Sequence, residues 1–460
     1  MRNIQEYVEV HKSLNIKVWL KDTPTRRLSA MLKFQNKRTI LEIEGEILKD
    51  DKQVLIEQLY GSDSNAQYFV FLNCNMMMVT YGHRKRTILD IEKVVFYPDK
   101  PITWEQAKAN YIESTFKYLD YWLGEKLFDV KLKERKVSYK PRWKRNIVID
   151  SDLDITFYSN LDNLYNYNIN TRHHLDIKQK GYFSLKYKSP KELDDILKFY
   201  SKVENLLKLA YFSLWSEEYL SLSNDSEKFK VATTKYLPVY KELYFPRSQT
   251  NNIKVLPLID WMFLFKFTDI PNKSKFFRDW LKNEEELSPI YLPVINLLSA
   301  TLPEEYKFLG LINALELAYR RRYEPSDKKK HDYKKARNDL LSQIKATKKS
   351  DKLILESIKS MTGFSYQPSL KALLTDLVKK SRRIVYVEID DNDIKDIADI
   401  RRTFIHNNFG SVSDPTKIYL LNRKLQKLLL VVLLLDLGFP HKKIKALITN
   451  YSQYNNLNVR

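Results

Sequence analysis

The feature that most constrains this chain is a change of hydrophobic period near Ser189 and Pro190. Before it, apolar and polar residues alternate in short runs rich in β-branched and aromatic side chains. Asn15–Leu20, Thr39–Glu44, Tyr68–Leu72 and Lys93–Tyr97 are examples, followed by Asn146–Asp150, Leu153–Tyr158 and Gly181–Tyr187. A period of two places one face of a strand in a core and the other in water. After it, Leu193, Ile196, Leu197, Tyr200, Val203, Leu206 and Leu207 follow the helical period. One segment cannot satisfy both periods, so the expected architecture is a multidomain α+β protein. A β-rich N-terminal region of sandwich or barrel type precedes an all-α C-terminal bundle. One helix is expected to interrupt the strands at about Thr103 to Leu123, with further short strands from Lys235 to Asp269 and helix again from Phe276 to Leu281. The predicted regions are 1–188, a mixed continuation at 189–285, and a helical domain at 286–460. The expected hinge is Glu284 to Leu292.

The last third reads as successive helices. Leu302–Tyr323 carries Phe308, Leu311, Ile312, Leu315, Ala318 and Tyr319 on one stripe, with Asn313, Glu316 and Arg320 on another. A basic connection follows, with Arg320–Arg322 and Lys328–His331. Helices are then expected at Tyr333–Thr347, Asp351–Thr362, Ser369–Ser381, Asp393–Asn407 and Pro415–Leu437, the last closed by Gly438 and Pro440. Short connections between long helices predict an up-and-down bundle.

Composition narrows the function. Lys and Arg number 78 against 57 Asp and Glu, a formal net charge of +21. That excess favours a polyanionic partner, nucleic acid before an anionic membrane, over a merely solvated basic surface. The 9 glycines are scattered, which removes the clustered-glycine phosphate cradles of the dinucleotide fold and the P-loop. One cysteine, Cys74, allows no internal disulfide and no Cys-cluster zinc site, which fits a reducing compartment. The start of the chain lacks an apolar signal core. The apolar run Leu428–Leu435 is far shorter than the roughly 20 residues of a membrane span, so a buried helix is expected there.

The chemistry concentrates in Asp396–Gly410. Ile394, Ile397, Ala398, Phe404 and Ile405 recur at helical spacing, with a start near Asp390 to Asp393 and an end by Asn408 to Gly410. Arg401 shares the apolar stripe, so its guanidinium requires an acceptor. Arg402 and His406 are neighbours one turn apart. Arginines that hold phosphate oxygens and a histidine that moves a proton near neutral pH suit chemistry on a phosphodiester. The pKa of His406 is pulled up by a helix C-terminus and down by Arg402.

Other constellations are weaker. Asp99, Asp129 and Lys131 imitate a metal-dependent nuclease at loose spacing. Arg172–Asp176 contains adjacent histidines, which on a strand point to opposite faces. His83–Arg86 and Lys140–Arg145 are basic runs with an interleaved aromatic, for which solvated loops are favoured over nucleic-acid contact, and Met76–Met78 reads as a packing feature.

Two ordered signatures carry a resemblance. Phe308–Tyr323 resembles the first helix of the Apea-like HEPN domain, and Asp396–Asn407 its Arg-polar-x-x-x-His helix. The strand-rich region through His174–Ile177 and the helix Leu193–Leu207 is similar to the N-terminal domain that accompanies it, so the likeness spans nearly the whole chain. The resemblance implies a bacterial, cytoplasmic, anti-phage abortive-infection protein without a cofactor. Its helical domain is expected to be a metal-independent endoribonuclease acting on tRNA or mRNA and leaving 2′,3′-cyclic phosphate ends. It further implies a homodimer or higher homo-oligomer with a composite site, in which Arg401 and His406 are catalytic and Glu316 is the acidic residue of the first helix. Arg402 stands where the family usually has a small polar residue. A phage-derived activator of the N-terminal domain is also implied, and no membrane. The competing readings are a non-catalytic dimer module that binds RNA or protein, and the metal-dependent nuclease around Asp129.

Overall fold

The computed structural model describes residues 13–35, 38–47, 55–64, 68–80, 85–97, 108–116, 118–131, 136–140, 142–162, 178–211, 217–232, 235–244, 263–299, 302–323, 327–346, 356, 368–406 and 414–455. The chain forms two compact units, Met1–Leu281 and Lys282–Arg460.

The first unit begins with β1 (Ser13–Trp19), β2 (Leu28–Gln35), β3 (Arg38–Glu44), β4 (Leu55–Ser62), β5 (Tyr68–Thr80) and β6 (Arg86–Tyr97). They pair antiparallel in the order β6-β3-β2-β1-β4-β5, and β5 pairs back onto β6, closing a six-stranded barrel. The alternation read from sequence is the reason it closes. Ile16, Val18, Leu32, Leu41, Ile43, Leu59, Phe71 and Leu89 fill the interior, and closure leaves these strands no exposed edge. Asn73 takes a positive φ of 52° and shifts the alternation, so Phe71 and Cys74 both face inward. Burial pushes the Cys74 thiol well above its ordinary pKa, which keeps it an unreactive core residue.

The sheet continues through β14. Its members are β7 (Lys108–Phe116), β10 (Arg142–Val148), β11 (Leu153–Asp162), β12 (Lys178–Glu192), β13 (Glu217–Ala232) and β14 (Lys235–Tyr244), in the order β14-β13-β7-β12-β11-β10 from β6 outward. β8 (Phe128–Lys131) and β9 (Lys136–Tyr139) form a separate hairpin. A short helix α1 (Leu119–Leu123) packs on β12, and α2 (Leu193–Tyr211) packs on β12 and β7. Trp122 is fully buried against Phe157 and Phe267 and donates to the Phe265 carbonyl at 3.0 Å. α1 rests on strand backbone at Gly181, where an added Cβ would lie 2.5 Å from the Asp120 nitrogen and 2.8 Å from the Leu119 carbonyl carbon. Only glycine permits that approach.

Several expectations need correction. From Lys108 onward the expected helix at Thr103–Leu123 is instead strand β7, followed only by the five-residue α1. β7 is hydrogen-bonded on both edges, to β12 and β13, and those ladders together with its β-branched and aromatic content override any helical reading. Of the three methionines, Met76 packs on the barrel core, whereas Met77, extra at a bulge, and Met78 are each 50% exposed. The expected hinge Glu284–Leu292 lies within one helix, α3 (Lys273–Ser299), which is continuous through Pro289. The basic run Lys328–His331 is not a connection but the start of α5 (Asp327–Ala346). Apart from Glu356, the helix expected at Asp351–Thr362 falls outside the described residues, as do residues 245–262 of the strand segment expected through Asp269.

The helical unit also contains α4 (Glu304–Tyr323), α6 (Leu370–Arg382), α7 (Asp391–His406), α8 (Pro415–Asp436) and α9 (His441–Asn455). α8 is its centre, packing on α4, α6 and α9 with Leu428 to Leu434 all buried. Asp414 caps it through the amides of Thr416 and Lys417, and Gly438, at φ 78°, ends it. Arg322 of α4 bonds Asp436 at 2.6 Å and the Val432 carbonyl at 3.2 Å. The other Asp436 oxygen is buried without a hydrogen-bond partner among the described residues.

Two outcomes follow. Gly181→Ala is expected to cost about 1–3 kcal/mol of stability in denaturant unfolding, because backbone must move to admit the methyl group; an unchanged midpoint would mean that α1 does not rest there. Burial pushes the Asp436 carboxyl above the usual range, and the pull of Arg322 only partly opposes it. A raised folded value contributes stability below the unfolded pKa of about 3.9 that is lost as pH rises through the folded value. Asp436→Asn is therefore expected to flatten that fall when unfolding is followed against pH.

Candidate functional site

Helix α7 carries the site, and its start is fixed by sequence. The Asp390 carboxylate accepts from the Asp393 amide at 2.8 Å, and the Asp393 carboxylate from the Asp390 amide at 3.0 Å, a reciprocal cap in which Asp replaces the usual Ser or Thr and Glu. Ile394, Ile397 and Phe404 are buried, and the Phe404 ring meets Phe308 edge-on with centroids 5.9 Å apart. Charged pairs hold the helix to α8: Asp393 to Lys424 at 2.8 Å and Asp396 to Lys417 at 2.7 Å. The preceding segment is tied down by Arg382, whose guanidinium donates to the carbonyls of Val387 at 3.3 Å and Ile389 at 2.6 Å.

The acceptor that Arg401 requires is Glu316. Arg401 Nη2 lies 3.0 Å from Glu316 Oε1 and 3.3 Å from Oε2, joining α7 to α4. The Glu316 side chain is 14% exposed and that of Arg401 31%, so the pair is mostly shielded while the guanidinium keeps an open side. Arg320 Nη2 stands 3.9 Å from the same carboxylate. Glu316 thus faces two cations.

Arg402 does not join them. It is 72% exposed and lies 3.6 Å from Asp399 of its own helix. His406 is the last residue of α7, and the expected helix end at Asn408–Gly410 lies outside the described residues. Five residues of helix separate Arg401 and His406 by about 140° around the axis and about 7.5 Å along it.

The remaining candidates are dispersed. Asp129 is exposed on the β8–β9 hairpin, while Asp99 and Arg172–Asp176 lie outside the described residues. Lys85 pairs with Glu46 at 2.9 Å, Arg142 sits 4.4 Å over the Tyr158 ring, and the Trp143 ring is 5.8 Å from Phe267. Lys85 and Arg142 are therefore engaged locally, while Lys144 and Arg145 are exposed and His83 and Arg84 lie outside the described residues. Among the described residues no three His, Cys, Asp or Glu side chains group as metal ligands. A cavity of about 490 Å³ on the barrel, between Lys17, Glu42 and Arg86, contains none of the candidates from the helical unit. Sequence reasoning missed Arg382, Lys417 and Lys424, whose partners lie across chain turns that no local spacing marks.

Residues 309–443 match the family model described as Apea-like HEPN, and residues 15–280 match that described as ApeA N-terminal domain 1. The chain belongs to this ApeA family, which supports a nuclease-type role in abortive infection in general terms. HEPN domains generally bind RNA and dimerise. No curated protein and no solved structure matches the chain. Among the described residues no helix is long and apolar enough to cross a membrane.

Glu316→Ala is expected to lower stability by about 1–3 kcal/mol, because a half-shielded guanidinium loses its acceptor, and Glu316→Gln by less. Asp390→Ala is expected to cost about 1 kcal/mol through the lost cap. Chemical denaturation of the three variants checks both.

Proposed function

We propose that the helical unit is a metal-independent endoribonuclease of tRNA or mRNA, assembled as a homodimer in the bacterial cytoplasm. The observation that carries this reading is the Arg401–Glu316 pair. It holds a guanidinium in one orientation, with an open side, on the helix that ends at His406. RNA supplies its own nucleophile in the 2′-hydroxyl. In the proposed reaction that oxygen attacks the adjacent phosphorus and its proton passes to a base. The P–O5′ bond breaks, and the departing oxygen takes a proton to become a 5′-hydroxyl, leaving a 2′,3′-cyclic phosphate. His406 acts as the base or the acid, Arg401 stabilises the charge that grows on the phosphate, and exposed Arg402 adds a weaker phosphate contact.

The roughly 140° between Arg401 and His406 favours a site completed by a second copy. So do the exposed side chains of Tyr306 (57%) and Leu317 (40%) on α4, the helix of Glu316. The barrel-containing unit is proposed to regulate the nuclease, with a phage-derived component as its activator.

The test is incubation of the full chain with a mixed tRNA and mRNA pool in EDTA. Wild type is expected to cleave and leave cyclic-phosphate ends. His406→Ala and Arg401→Ala should each be slower by about 100-fold or more, and Arg402→Ala by less. Cleavage that EDTA abolishes and His406→Ala spares would move the activity to Asp129. RNA binding without cleavage, under every condition including phage lysate, would leave a binding module.

A further inference from the structure

We infer that the lysine-bearing exposed face of helix α5 (Asp327–Ala346), beside its buried seam, is the surface that grips the phosphate backbone of the RNA substrate. This rests on the ribonuclease reading for the identity of the polyanion, but its argument comes from a different part of the molecule. Between His331 and Lys345 only Leu341 is buried, with Tyr333, Arg337 and Ile344 half-buried. These four lie 4, 4 and 3 residues apart, a single narrow seam, so most of the circumference of the helix faces solvent. A helix attached by so little gains little from core packing, and its remaining composition is left to another purpose.

The charge on that free surface is segregated. At about 100° per residue, Lys334, Asn338, Lys345, His331, Ser342 and Lys335 fall within one arc of about 100°. Between His331 and Lys345 that arc contains no acid, while Asp327, the first residue of the helix, falls on the same arc. Asp332 and Asp339, seven residues apart, lie together outside it. A face that served only solubility would intersperse the two signs. The cations of the arc are lysines, which act as point charges on phosphate and do not form the bidentate forks that read guanine. No Phe, Tyr or Trp lies in the arc to stack on a base. The helix is about 30 Å long, enough to follow several phosphates. The neighbouring triplet Arg320–Arg322 does not substitute for it: Arg321 pairs with Glu286 at 3.4 Å and Arg322 with Asp436 at 2.6 Å. The helix therefore supplies affinity and no sequence preference.

The test uses the full chain carrying His406→Ala, to separate binding from cleavage, and measures affinity for labelled tRNA against salt. The variant Lys334→Gln/Lys335→Gln/Lys345→Gln is expected to weaken binding by about 10-fold or more and to lower the slope of log K against log salt by about two to three. On the His406 background the loss should be equal for RNAs of different sequence, and in the active enzyme it should appear in KM with kcat retained. A control triple, Lys371→Gln/Lys379→Gln/Lys445→Gln, removes the same charge from exposed positions on other helices and is expected to leave the slope nearly unchanged. Equal losses in the two triples would reduce the effect to net charge and overturn the proposal. Unchanged binding by the α5 triple, with cleavage intact in the active enzyme, would overturn it while leaving the ribonuclease standing. Loss of binding to anionic lipid vesicles with RNA affinity unchanged would also overturn it, in favour of a membrane surface. If the active enzyme never cleaves but RNA binding depends on the α5 lysines, the nuclease reading fails and the proposed surface stands.

Discussion

A guanidinium on the apolar stripe of a helix must find a carboxylate, and much of the helical unit is arranged to supply one. Arg401 can reach Glu316 only if α4 and α7 lie side by side, and the Phe308–Phe404 contact fixes that approach. Glu316 is mostly shielded from water there and faces Arg401 and Arg320 together. The Asp393 and Asp396 pairs to α8 and the Arg382 tie to the preceding segment keep α7 from rotating about its axis. A single solvent-exposed pair would contribute little. Several half-buried pairs on one helix instead define its orientation, and with it the direction of the Arg401 guanidinium.

The strand-rich unit answers a different constraint. Period-two strands present unpaired edges, and here six of them close on themselves while β14 leads the sheet onward from β6. The second half buries its inner face under α1, α2 and an aromatic group around Trp122, Phe157 and Phe183. Gly181 is where helix and strand backbone come closest, so glycine there reflects packing and not a turn.

The change of period at Ser189–Pro190 marked the helix Leu193–Tyr211, although β13 and β14 follow it, and the caps at Asp390 and Gly438 were legible because capping is local chemistry. The need of Arg401 for an acceptor was legible too, since an apolar stripe containing a charge states the problem in sequence. What was not legible is what pairing decides. β7 is a strand because β12 and β13 flank it, and its own residues do not record those neighbours. Met77 became exposed because a bulge shifted it, and α3 runs on through Pro289 where the sequence pointed to a hinge. The lysines that hold α7 are ordinary surface residues in the sequence and acquire meaning only opposite Asp393 and Asp396.

In the proposed reaction Glu316 acts on the phosphodiester only through Arg401. A double-mutant cycle on the single-turnover cleavage rate at saturating RNA tests this most directly, using Glu316→Gln, Arg401→Lys and the two combined. The predicted result is that each substitution slows cleavage and the double variant is no slower than Arg401→Lys alone, because the carboxylate has no route to the phosphate except that guanidinium. Independent, multiplying losses, or a Glu316→Gln enzyme that cleaves at the wild-type rate, would contradict it.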